Sequence, residues 1–233
     1  MMSTSNPLPA SSLEAFRHAY FGPIDQYLAW HDGFDADTAC LAALSPAGRA
    51  QAETELLTAL RQRTADARAV LGLGYLRSEE AQPLLHHCLR QGFYAHYALT
   101  AIAQINPAGL DRALLVDVLT TTANASHLMD VLIGLPDAFT LPQVGATVAM
   151  AALRHFTHPD YLVRYHALNA LRRFYGVPAP NPGDSPAVLR ADALFGLICR
   201  KRAPRAYRQA QQLFIAQAPA ATLQEFPLTA AFL

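Results

Sequence analysis

The sequence predicts an all-α protein of stacked helical hairpins, and three observations carry that prediction. The stretch from His158 to Gly176, HPDYLVRYHALNALRRFYG, sets Leu162, Val163, Ala167, Leu168, Ala170, Leu171 and Phe174 at the spacing of one broad helical face. It opens on Pro159 and Asp160, where an acidic residue suits the positive end of the helix dipole. It stops at Gly176, with Arg172 and Arg173 in the last turn. Secondly, pairs of small and apolar residues recur. Ala69-Val70 with Gly72-Leu73 is followed 29 residues on by Ala98-Leu99 with Ala101-Ile102. Val131-Leu132 with Gly134-Leu135 comes 33 further on, and Ala167-Leu168 with Ala170-Leu171 after another 36. Thirdly, a partner helix fits between these units each time: Glu79 to Arg90, Pro107 to Thr120 and Leu141 to His155. A period near 30 residues is the signature of an α-solenoid. Alanine and glycine at the repeated positions let helices approach closely, while leucines fill the layer between hairpins.

The remaining elements follow in chain order. Residues 1–10 read as a loose leader. A first helix covers Ser12 to Tyr20, with Ser11 or Ser12 as its cap, and Gly22-Pro23 breaks it. A second short helix runs from Pro23 to about Trp30. Asp35 or Asp37 caps a short apolar helix that ends near Leu44. Ser45-Pro46 is a cap followed by proline at the first helical position, and that helix runs to about Gln62 with Ala52, Leu56, Leu57 and Leu60 inside. After the repeats, Asn181 to Pro186 is the clearest loop. One helix is expected from Ser185-Pro186 to about Arg200 and a last one from Pro204 to Ala218. The apolar tail packs back as a cap. The chain therefore reads as one domain over 1–233: an N-terminal helical cap at 11–62, clear repeats at 63–176 and a C-terminal helical cap at 185–233.

Composition narrows the class of function. Of 233 residues, 52% are hydrophobic and 15% charged, the balance of a core-rich globular chain. Eighteen basic residues against eighteen acidic give no global pull toward nucleic acid or anionic membrane. Charge is nonetheless polarised along the chain. Residues 1–80 hold ten acidic and six basic side chains, 81–160 hold five and three, and 161–233 hold three and nine. Cys40, Cys88 and Cys199 are odd in number and far apart, which argues against a disulfide framework and for a reducing compartment. The N-terminus lacks a secretory pattern. The longest apolar run, Ala138 to Leu153, is 16 residues and holds Pro142 and Gly145, short of the about 20 a membrane span needs. A cytoplasmic protein is expected.

No reaction can be assembled from the motifs. His86, His87 and Cys88 are adjacent, so on a helix their side chains diverge by about 100° and cannot share one ion. His155 and His158 have no carboxylate paired with them. The Gly-x-Gly of LGLGYL falls inside a repeat helix with no strand before it, so it is no phosphate loop. Neither a metal nor another cofactor is expected.

On Pro159, Asp160, Val163, Arg164, Ala167, Leu168, Ala170 and Leu171, the central stretch resembles the second helix of a HEAT-type repeat. The resemblance implies a right-handed α-α superhelix whose second helices line a concave face. On that face the candidate partner-binding residues are Tyr97, Asp130, Tyr165, Asn169 and Arg172. The family's Arg/Asp ladder is missing, since Arg164 aligns with Leu128, Ala95 and Asp66. Asp160 and Arg164 are therefore expected to form only a local i,i+4 pair. The run RKRAPRAYR, Arg200 to Arg208, suits nucleic acid, but a solvated terminal repeat is the favoured reading. Small HEAT-like proteins include binding scaffolds, some of them bacterial immunity proteins that cover a toxin's active site. They also include alkylpurine DNA glycosylases and bilin lyases. The glycosylases use tryptophans on a strongly basic face, whereas this chain has one tryptophan, Trp30, and no net charge. The expectation is thus a non-catalytic protein-binding scaffold, most concretely an immunity protein for a basic toxin domain, with no nucleic-acid or membrane partner.

Overall fold

The computed structural model describes residues 12–25, 27, 29, 32–180 and 186–228. The expected leader, the Ser11 cap, Trp30, the loop at 181–185 and the last five residues lie outside the described residues. So does part of the short helix expected after Pro23. Every regular element among the described residues is helical, and none is a strand. In chain order they are α1 (Ser12–Phe21), α2 (Thr38–Ala42), α3 (Pro46–Gln62), α4 (Ala67–Tyr75), α5 (Gln82–Gln91), α6 (Ala95–Ile105) and α7 (Arg112–Thr121). Then come α8 (Ala125–Ala138), α9 (Leu141–Arg154), α10 (Tyr161–Tyr175), α11 (Pro186–Ala191), α12 (Ala193–Ile198), α13 (Pro204–Gln217) and α14 (Ala220–Glu225). Side-chain oxygens start seven of these fourteen helices. Asp37 accepts from the Ala39 and Cys40 N–H groups, Ser45 from Gly48, Asp111 from Leu114, and Asn124 from Ser126 and His127. Each satisfies a donor that the first helical turn leaves orphaned.

Packing follows the repeated small-apolar pairs. Helix α4 packs on α6, α6 on α8 and α8 on α10, while α5 packs on α7 and α7 on α9. The hairpins α3–α4, α5–α6 and α9–α10 join these two rows. Val70, Leu73, Leu99, Ile102, Leu132, Leu135, Leu168 and Leu171 are all fully buried. Glycine sets the closest approaches: a Cβ on Gly74 would stand 2.8 Å from the Ala101 Cα, and one on Gly134 would stand 3.0 Å from the His96 Cα.

Five of the seven buried polar side chains among the described residues share one task. The last four carbonyls of an α-helix have no partner within it, and buried side chains from other segments reach them here. Arg68 donates to Ala19 near the end of α1 at 2.7 Å, and His127 to Leu89 near the end of α5 at 2.7 Å. His155 donates to Leu119 near the end of α7 at 2.7 Å, Gln211 to Leu153 near the end of α9 at 3.0 Å, and Arg164 to Ile198 at the end of α12 at 2.6 Å. Two of the nine histidines are thereby structural caps.

A pH dependence follows from one of them. Burial holds His155 below the ordinary histidine range, against the opposing pull of the Leu119 carbonyl. The unfolded chain therefore takes up this proton more readily than the folded one. Stability is full above about pH 6.5, the unfolded value, and is lost as pH falls below it. Burial acts on His166 with the same sign. Urea unfolding near pH 7.5 and near pH 5.5 should show a drop that His155→Gln reduces, because glutamine keeps a donor and does not titrate. An equal drop in the variant would remove His155 from this role.

Four sequence expectations need correction. Asp160 and Arg164 form no ion pair: Asp160 caps α10 through the Leu162 N–H, and Arg164 turns inward to the carbonyls of His158, Pro159, Ile198 and Arg200. The expected helix from Pro107 to Thr120 divides into a 3-10 turn at Pro107–Gly109 and α7, since Leu110 is extended and Asp111 starts a new helix. The helix expected at Glu79–Arg90 likewise opens with a 3-10 turn, Glu79–Ala81. The one expected from Ser185 to Arg200 breaks at Asp192, whose carboxylate caps α12. Beyond α13, Tyr175 donates to the Phe226 carbonyl at 3.0 Å and Leu228 is buried, so the chain after α13 packs back onto α10.

Candidate functional site

Helix α10 carries three of the five residues expected to bind a partner, and the structure brings those three together. Tyr165, Asn169 and Arg172 recur at i, i+4 and i+7, so they fall on one face of the helix. That face borders two hollows that share Tyr165, Asn169, Arg172, Ala179 and Pro180. One, of about 600 Å³, reaches α8 at Leu132, Ile133 and Pro136. The other, of about 320 Å³, reaches α12 at Asp192 and Phe195. Together they form a groove along α10, walled by the chain that follows Gly176.

The polar groups of the groove differ in what they are free to do. Arg172 is 6% exposed and its guanidinium meets the Asp192 carboxylate end-on, with Nη1–Oδ2 at 2.7 Å and Nη2–Oδ1 at 2.8 Å. Burial pushes the Asp192 carboxyl up, but Arg172 and the α12 backbone N–H groups more than offset it, so the carboxyl lies below the ordinary aspartate range. This pair is committed to joining α10 to α12. By contrast, the Tyr165 hydroxyl and the Asn169 amide are half-buried and make no hydrogen bond among the described residues. Tyr165 is held in place by its ring, edge-on to Phe195 at 6.0 Å and to His166 at 5.2 Å.

The other two candidates lie elsewhere. Tyr97, on α6, accepts the Phe34 N–H through its hydroxyl at 2.7 Å, and its ring meets Phe34 edge-on at 5.9 Å. The chain's own segment before α2 thus covers it. Asp130, on α8, is half-buried and makes no hydrogen bond among the described residues. Burial raises its carboxyl above the ordinary range, opposed by the nearby His96 and His127. It does not line the groove. Sequence reasoning missed Phe195 and Asp192 as groove residues, because the spacing predicts one continuous helix across the break at Asp192. Asp192, set between two alanines and followed by Leu194 and Phe195, had the composition of a cap.

Chemistry-bearing groups elsewhere are sparse. Among the described residues, no three His, Cys, Asp or Glu side chains cluster as a metal site would require. Burial pushes the Cys88 thiol up to about 11 and raises Cys40 and Cys199 as well, so all three are protonated at neutral pH. Among the described residues, no helix is long and apolar enough to cross a membrane. Comparison with known proteins adds no assignment: no family matches the sequence, and no curated protein and no solved structure aligns with it significantly.

Proposed function

We propose that this chain is a non-catalytic scaffold that binds another protein along the α10 groove. The observation that carries the reading is the pair of unpartnered polar groups, Tyr165 and Asn169, set among Leu132, Ile133, Pro136 and Phe195. A half-buried amide and phenol amid apolar walls supply the mixed contact that protein interfaces favour, with tyrosine prominent among their anchors. The successive packing of α4, α6, α8 and α10 supports, as part of the same proposal, a right-handed superhelix of HEAT-like hairpins. The concrete version is an immunity protein that occludes a basic toxin domain. It rests on the resemblance of the Pro159–Leu171 pattern and on the acidic excess of residues 1–160.

The experiment is an affinity capture from the native organism with three baits. Wild type and a control changed on the opposite row, Arg90→Ala with Asp117→Ala, should retain the same partner. Tyr165→Ala with Asn169→Ala should lose it, since truncating an anchor costs more than about 1 kcal/mol of binding. A basic partner should also bind more weakly as salt rises, chiefly through a slower on-rate. Loss from the opposite-row bait alone would place the site on the other side of the molecule.

A further inference from the structure

Three arginines are buried among the described residues, and one of them differs from the others. Arg68 pairs with Asp66 at 2.8 Å and Arg172 with Asp192 at 2.7 Å. Arg164, at 2% exposure the most buried of the three, has no carboxylate partner among the described residues. Its Nε donates to Ile198 and its Nη1 to His158 and Pro159. Nη2 has a single long contact, 3.5 Å to the Arg200 carbonyl. The guanidinium lies over the Tyr207 ring at 4.3 Å. A buried charge without a counter-ion is costly even when its hydrogen bonds are made. Carbonyl dipoles and a ring face reduce that cost without supplying a negative charge.

Arg164 also lines a pocket of about 560 Å³, between the start of α10 and the turn joining α12 to α13. Lys201 and Arg202 also line it, exposed and in no ion pair among the described residues, and Asp160 is its one acidic residue. Three positive charges against one negative leave an excess of two. Tyr161, 52% exposed, offers an aromatic face at the rim. The Asp160 carboxylate is already bound to the α10 backbone.

We propose that this pocket binds a phosphoryl dianion, as free phosphate or on a small phosphate ester. A phosphate monoester carries about −1.5 to −2 charge at neutral pH, which matches the excess. The free edge of Arg164 Nη2, the Lys201 ammonium and the Arg202 guanidinium supply charge-assisted donors for its oxygens. The volume exceeds what phosphate alone fills, and Tyr161 gives an attached ring something to lie against. This site shares only Tyr161 with the α10 groove and does not depend on the scaffold reading.

The test uses the full chain in titration calorimetry at low salt, with inorganic phosphate, adenosine monophosphate and a short single-stranded oligonucleotide as probes. Arg164 itself is left unchanged because its loss would disturb the fold. Lys201→Gln with Arg202→Gln alters only exposed side chains. Saturable binding of phosphate or the monophosphate is expected, weakened at least about tenfold in the double variant, with the unfolding transition unmoved. Tighter binding of the monophosphate than of phosphate identifies a small ester as the ligand, and equal binding identifies phosphate itself. No binding at millimolar probe, or undiminished binding by the double variant, overturns the proposal. So does binding confined to the oligonucleotide, which would make the basic turn a nucleic-acid surface.

Discussion

Asp192→Ala should destabilise the fold by about 3–5 kcal/mol, the range for breaking a buried ion pair from one side. The pair qualifies because both side chains are nearly closed to water, at 6% for Arg172 and 9% for Asp192. Without Asp192 the guanidinium stays buried with no anion, and its Nε already lacks a partner. The same substitution strips the cap from α12, a further loss of about 1 kcal/mol. Asp192→Asn separates the two effects, since asparagine can still cap but carries no charge. The depressed Asp192 carboxyl also sets a sign: its stabilisation is full above the unfolded aspartate value, about 3.9, and is lost as pH falls through the folded one. Urea denaturation of wild type, Asp192→Asn and Asp192→Ala measures all of this. A loss under about 1 kcal/mol in Asp192→Ala would mean that the pair does not hold α10 to α12. The same pairing bears on Arg172 as a partner contact. Any binding defect in Arg172→Ala has to be compared with its stability, because the side chain is spent inside the molecule.

Leu168→Ala should cost about 2–5 kcal/mol. Leu168 is fully buried, on the helix that packs against both α8 and α9. The removed methyl groups leave a cavity that three packed helices cannot easily collapse, because close-packed interiors relax only partly. Thermal or urea unfolding measures the loss, and a cost below about 1 kcal/mol would indicate that the layer between α8 and α10 is loosely packed.

Where the sequence was legible, local rules were enough. Ser45 with Pro46, Asp160 and one of the two expected caps, Asp37 and not Asp35, each started a helix, because a cap bonds to N–H groups two or three residues away. The eight repeated apolar positions were buried because a period of 3.6 fixes which residues share a face. Gly72 and Gly134, at the repeated positions, sit at tight approaches for the same reason, whereas the close contact at Gly74 falls outside the repeated pairs. Arg164 shows where that logic fails: an i,i+4 rule paired it with Asp160, but its Nε donates to Ile198, 34 residues on. The capping histidines and Gln211 reach carbonyls 36 to 58 residues away, and no local pattern encodes such a distance. The groove was half legible for the same cause. Its α10 face follows from helical spacing, whereas Phe195 and Asp192 enter only through tertiary packing.

Hydrogen exchange read with and without the captured partner tests the binding face most directly. Protection should rise along α10 from Tyr161 to Arg173 and over residues 132–136 of α8, with no change across α5 and α7. Protection confined to α5 and α7, with α10 exchanging as in the free chain, would contradict the groove as the site of binding.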